Sequence, residues 1–251
     1  CAGKHMRKQI VVGNWKLNGT RVLCHQFASG LADYKGPVEL VICPPATHID
    51  CLASAASAHN SKVGVGGQNV AAQSSGAYTG EVSAGMLQEL GAGYGIVGHS
   101  ERRALFGETS EIVAQKASRL LEVGMTPIIC VGESSLVREG GEHGKFVGRQ
   151  VTEVLSRLAP SVESAVILAY EPIWAVGTGN TASPEQVQSM HAHIRAVAAP
   201  FINSVATRVL YGGSVTPDNA ASLLELPDVD GALVGGASLE LDKFLAIAGG
   251  C

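Results

Sequence analysis

No apolar stretch of this 251-residue chain approaches the roughly 18 residues of a membrane-spanning helix. The opening CAGKHMRKQIVVGNW also lacks the apolar centre of a secretory signal, so a cytoplasmic protein is expected. Basic runs with interleaved aromatics are missing too. The 18 Lys and Arg residues are dispersed and the formal net charge is −4, which sets nucleic acid aside as a partner. The six cysteines, Cys1, Cys24, Cys43, Cys51, Cys130 and Cys251, contain neither a CxxC pair nor a zinc spacing. Reduced thiols are expected, and no metal site. Cys1 and Cys251 stand at the two ends as attachment handles or as sites of intermolecular crosslinking, and the sequence leaves both readings open. Linkers, low-complexity segments and internal repeats are absent as well.

What is present suits an independently folding α/β domain. Hydrophobic residues make up 46% of the chain and charged ones 16%, a balance far from that of disordered chains. Residues 1–5 have no structural pattern and precede a methionine. Met6 is therefore expected as the native start, with one catalytic domain over 6–251.

Eight short apolar runs recur: QIVVGN, VELVICPP, KVGVGGQN, YGIVGHS, TPIICVGE, AVILAYEP, RVLYGGS and GALVGGAS. Their near-continuous hydrophobicity is that of strands buried on both faces of a parallel sheet. Helical patterns separate them. Ser183 is placed to cap a helix, with Pro184 at its first position, Gln186 completing a capping box, and Val187, Met190, Ile194 and Val197 on one face. Glu108 to Val123 repeats the pattern through Val113, Lys116, Ala117, Leu120 and Leu121, and Val147, Val151, Val154, Leu155 and Leu158 do so again. Eight β/α units in this length predict a single closed (β/α)8 barrel, with an open doubly wound sheet as the alternative.

Polar residues collect where the strands end. Asn14 and Lys16 follow the first strand, Gln68 and Asn69 the third, His99, Ser100 and Glu101 the fourth, Glu133 the fifth and Glu171 the sixth. A parallel barrel brings all these ends to one rim. Glu171 is a candidate base, His99 a proton donor to oxygen, and Lys16 a cation for developing negative charge. Taken singly, each also reads as a helix cap, a structural histidine or a surface lysine. The glycines of GTG at Gly177 to Gly179, YGGS at Tyr211 to Ser214 and VGGAS at Val234 to Ser238 free backbone amides after the last three strands. With a helix expected behind the last of them, they form an anion cradle and imply a phosphorylated small substrate. Several partial motifs carry nothing. Gly177, Gly179 and Ala182 match GxGxxA without the acidic residue a ribose needs, His143 to Lys145 is an incomplete P-loop, and Asn18 to Thr20 is a sequon without a secretory signal. His191 and His193 point to different sides of one helix.

GNWKLNG, GHSERR, AYEPIWAVGTG, YGGSV and GALVGGASL, in this order and on these strands, closely resemble the triosephosphate isomerase family from Met6 to about Ala248. The resemblance implies interconversion of dihydroxyacetone phosphate and glyceraldehyde 3-phosphate through an enediol(ate), without a cofactor. It assigns carbon proton transfer to Glu171, work at the two oxygens to a neutral His99, and enediolate stabilisation to Lys16 and Asn14, with Glu101 beside them. Phosphate contacts fall to Gly177, Ser214, Gly235 and Gly236, and the segment after Glu171 becomes a lid. It further implies a homodimer in which the loop Ser74 to Glu81 enters the neighbouring subunit, with Thr79 near the partner's lysine. Two rivals remain. A sugar-phosphate aldolase would need a Schiff-base lysine at a later strand end, whereas Lys16 follows the first. A catalytically degenerate phosphate-binding barrel would not need Lys16, His99 and Glu171 together.

Overall fold

The eight apolar runs are too short and too evenly hydrophobic for anything but strands covered on both sides, and each forms one. In the computed structural model, which describes residues 7–158, 166–175 and 181–249, they are β1 (Ile10–Asn14), β2 (Glu39–Cys43), β3 (Gly64–Gly67), β4 (Tyr94–Val97), β5 (Thr126–Val131), β6 (Ile167–Tyr170), β7 (Arg208–Tyr211) and β8 (Gly231–Val234). Each pairs in parallel with the next. β8 returns to β1 with Val12 opposite Leu233, so the sheet closes in sequence order. That closure excludes the open sheet. Residues 1–5, Cys251 and Gly177 lie outside the described residues.

Side chains alternate along each strand and divide the core in two. Ile10, Val12, Val41, Cys43, Ile96, Ile128, Cys130, Ile167, Ala169, Leu210 and Leu233 fill the barrel itself. Their strand neighbours, among them Val11, Ile42, Val97, Ile129, Leu168 and Val209, pack outward against the helices.

The covering helices are α1 (Arg21–Gly30), α2 (Ile49–Ala58), α3 (Ala84–Glu89), α4 (Ser100–Phe106), α5 (Ser110–Glu122), α6 (Ser135–Glu139), α7 (His143–Leu155), α8 (Pro184–Ala198), α9 (Pro217–Leu224) and α10 (Leu241–Gly249). The cap predicted for α8 is present in full. Ser183 Oγ accepts from Gln186 N at 3.3 Å and Gln186 Oε1 accepts from Ser183 N at 2.9 Å. α5 begins later than its apolar pattern suggested, because Thr109 caps it and Glu108 turns inward. Glu108 Oε1 there meets Arg102 Nε and Lys116 Nζ, each at 2.5 Å. That pairing is what lets Lys116 lie buried among Val113, Ala117 and Leu120.

The N-terminal end of the barrel is closed by ion pairs. Asp230 is gripped by Arg7 at 2.5 Å and by Arg195 at 2.7 Å, and Glu39 accepts from Tyr94 Oη and, at 2.9 Å, from Arg208 Nη1. The opposite, C-terminal end stays open for a site. No helix among the described residues is long and apolar enough to cross a membrane.

Candidate active site

Asn14 ends β1, and the chain then turns through Trp15 and Lys16. Trp15 is fully buried, its ring edge-on to Phe27 with centroids 5.2 Å apart, and its Nε1 donates to Ser238 O at 2.9 Å. Lys16 follows with φ of 52°, a left-handed conformation that side chains other than glycine seldom adopt. Two contacts impose it. Its N–H donates to Asn14 Oδ1 at 3.0 Å, and its carbonyl accepts from Gln68 Nε2 at 2.8 Å. The same Gln68 amide holds Cys43 O at 2.9 Å, so one side chain after β3 locks the loops of β1 and β2 together. Lys16 Nζ then reaches Glu101 Oε1 at 2.6 Å.

His99 caps α4. Its Nδ1 accepts the backbone N–H of Glu101 at 3.2 Å, which leaves Nε2 to carry the ring proton of a neutral imidazole. Nε2 stands 2.9 Å from Glu171 Oε1. Glu171, just past β6, is also held by Ser100, whose N–H donates to Oε2 at 2.9 Å and whose hydroxyl donates to Oε1 at 3.0 Å. Burial pushes the Glu171 carboxyl up, but the hydrogen bonds from His99 and Ser100 outweigh it and hold the group below its ordinary value. The result is a buried carboxylate that stays ionised at neutral pH.

His99 and Glu171 line a cavity of about 280 Å³ with Asn14, Lys16, Ser214, Gly235 and Gly236. The glycines leave its far wall bare. A Cβ on Gly236 would meet nothing within 4 Å, whereas one on Gly212 would press on Glu171 Cγ at 3.0 Å. Ser214 Oγ donates to Ala175 O at 2.9 Å, joining the loop after β7 to the segment after β6. The helix expected directly behind the last glycines is a single 3-10 turn, Gly236–Leu239, and α10 starts only at Leu241. Ser238 explains the interruption, since both its N–H and its hydroxyl donate to Gly235 O, at 2.8 and 2.7 Å.

Asn14, Lys16, His99, Glu101, Glu171, Ser214, Gly235 and Gly236 are thus all at one end of the barrel, with Glu101 reached through Lys16. Residues that the strand ends named without a role now have visible contacts. Ser100 and Gln68 position Glu171 and Lys16. Buried Glu133 accepts from Trp174 Nε1 at 2.8 Å, Tyr170 Oη at 3.0 Å and Arg138 Nη1 at 3.0 Å, which fixes the first turn after Glu171. Among the described residues, no three His, Cys, Asp or Glu side chains gather as metal ligands would.

The chemistry this arrangement allows is proton transfer next to an anion-binding wall, and comparison with known proteins agrees. The profile of the family described as triosephosphate isomerase matches residues 9–251. A curated protein named triosephosphate isomerase from Alkalilimnicola ehrlichii is 50% identical over 246 residues, covering 96% of this chain and 98% of its own. Another of that name from Alcanivorax borkumensis is 49% identical over 243 residues, covering 96% and 97%. With this similarity along nearly its whole length and the same motifs meeting at one barrel mouth, the chain belongs to the triosephosphate isomerase family.

Proposed function

We propose that Glu171 moves a proton between the two carbons of a triose phosphate while His99 serves the two oxygens, interconverting dihydroxyacetone phosphate and D-glyceraldehyde 3-phosphate. The observation that carries this reading is the buried Glu171 carboxylate 2.9 Å from His99 Nε2, at the wall of a cavity that also holds Lys16. The base is ionised and shielded from water. Both of its oxygens are engaged by His99 and Ser100, so reaching a substrate carbon requires it to leave those contacts. That departure frees the Nε2 proton of His99 for a substrate oxygen. Lys16 and Asn14 stand where negative charge develops on the enediolate, and Glu101 orients the ammonium.

The substrate phosphate lies against Ser214, Gly235 and Gly236, with Gly177 closing over it from the segment after β6. Closure excludes water, which strengthens the local electrostatics and protects an enediolate that would otherwise expel its phosphate. No cofactor or metal is required. The enzyme is a cytoplasmic homodimer: the exposed loop Ser74 to Glu81 of one subunit enters a cavity of about 610 Å³ lined by Lys16, Leu17, Glu101, Leu105 and Phe106 of the other, with Thr79 beside the partner's lysine.

Turnover of glyceraldehyde 3-phosphate, coupled to NADH oxidation without added metal, tests the roles. Glu171→Gln should lose roughly 100-fold or more in kcat with little change in phosphate-ligand affinity. Ser214→Ala should mainly raise KM. Equal losses of affinity and kcat in Glu171→Gln would make the glutamate a binding residue, and a folded but inactive parent would favour the degenerate phosphate-binding barrel.

A further inference from the structure

α1 and α2 lie side by side on the outside of the barrel, and their seam holds two of the chain's cysteines. Cys24, in the second turn's approach of α1, is fully buried, and its Sγ lies 3.9 Å from the carbonyl oxygen of His48, the residue that precedes α2. Cys51 sits in the first turn of α2, three residues after His48, so the contact of Cys24 with His48 and that of His25 with Cys51 bring the two thiols to one seam. Beside it stands His25, with Nε2 4.0 Å from Cys51 Sγ. Cys51 is partly exposed, whereas Cys24, Cys43 and Cys130 are all buried. The three side chains do not line the active-site cavity.

We propose that Cys51 and Cys24 form an oxidisable dithiol, in which hydrogen peroxide oxidises Cys51 and Cys24 then closes a disulfide between α1 and α2. In the first step the Cys51 thiol gives its proton to His25, and its sulfur attacks the peroxide oxygen. The O–O bond breaks, Cys51 becomes a sulfenic acid, and the leaving oxygen departs as water once it recovers a proton. In the second step Cys24 sulfur attacks Cys51 sulfur, and the sulfenic hydroxyl leaves with the Cys24 proton as a second water. Two electrons leave the pair of thiols and one peroxide is reduced to two waters.

The order of steps follows from exposure. Cys51 alone of the described cysteines faces solvent, and it has the ring nitrogen beside it. Burial, with the neighbouring Cys51 adding to it, pushes the Cys24 thiol up to about 12, so Cys24 stays protonated and is not the thiol that meets the peroxide; it attacks only as its proton leaves with the sulfenic hydroxyl. Cys43 and Cys130 are also raised by burial and are sealed inside the barrel.

The test uses the full chain with Cys1 and Cys251 replaced by serine, treated with hydrogen peroxide and mapped by mass spectrometry without reductant. The expected product is a peptide pair joining Cys24 to Cys51, lighter by two hydrogens and released by dithiothreitol. Cys24→Ser should stop at a Cys51 sulfenic acid that dimedone traps, and Cys51→Ser should leave Cys24 unoxidised with basal turnover unchanged. Oxidation of Cys51 to the sulfinic acid in the parent with Cys24 still free, or no oxidation of either, overturns the proposal. The parent map and Cys51→Ser decide the matter even where Cys24→Ser fails to fold.

Discussion

His191 shows how a single buried group ties this fold to pH. It lies in α8 between Tyr170 and Tyr211, with ring centroids at 5.9 and 6.3 Å. Its Nδ1 is 3.2 Å from Asp228 O, and its Nε2 has no hydrogen-bond partner among the described residues. Burial pushes its pKa down to about 4, against the pull of the Asp228 carbonyl and the Asp230 charge, while Arg195 adds to the lowering. The unfolded chain takes this proton near the ordinary histidine value of about 6.5. Between those two values the unfolded state therefore binds more protons, so the contribution of His191 is complete above about pH 6.5 and is lost as pH falls toward 4. The whole window is worth on the order of 3 kcal/mol. Urea unfolding should accordingly show a loss of about 2 kcal/mol between pH 7 and pH 5 that is missing from the pH slope of His191→Gln. Equal slopes in the two proteins would mean that His191 is already protonated in the folded state.

At the level of elements, the site depends on how closely β5 and β6 end. Val131 pairs with Tyr170, Glu171 N donates to Val131 O at 2.8 Å, and the next residue, Gly132, has its N–H held by Gln150 of α7 at 2.9 Å. A Cβ on Gly132 would fall 1.9 Å from the backbone oxygen of Glu171, a distance that forces the strand ends apart. Gly132→Ala should therefore move Glu171, lower kcat by roughly 10- to 100-fold and lower the thermal midpoint. Gly93→Ala, where a Cβ meets nothing within 4 Å, is the control and should keep its turnover. A Gly132→Ala enzyme with parental kcat would show that the barrel end yields without disturbing the carboxylate. These same elements mark what a sequence reveals. All eight strands and the Ser183 cap were legible, because burial on both faces and a four-residue cap are written in adjacent residues. The locking of Lys16 by Gln68, the hold of Ser100 on Glu171 and the clash waiting at Gly132 were not legible. Each joins residues far apart in the chain through a register that exists only after closure. The 3-10 turn at Gly236 was missed for a local reason, since Ser238 competes for the Gly235 carbonyl with both its N–H and its hydroxyl.

For the molecule as a whole, the apolar surface around the active-site rim is the feature that a lone barrel leaves unexplained. Leu17 is 96% exposed, Leu105 76% and Phe106 66%, and they surround the cavity beside Lys16 and Glu101. Covering them with the Ser74 to Glu81 loop of a second copy would remove apolar surface from water at about 25 cal/mol per Å². It would also brace the loop that holds Lys16 at its positive φ. Assembly and catalysis would then be linked, because the lysine at positive φ sits where the proposed partner loop would land. The parent should sediment as a dimer at micromolar concentration. Leu105→Asp should sediment as a monomer with unchanged far-ultraviolet dichroism and a kcat lowered by roughly 10-fold or more, as expected when a catalytic group is misplaced. A parent that is monomeric at micromolar concentration yet fully active would remove both the dimer and the coupling, and Lys16 would then be held by Asn14 and Gln68 alone.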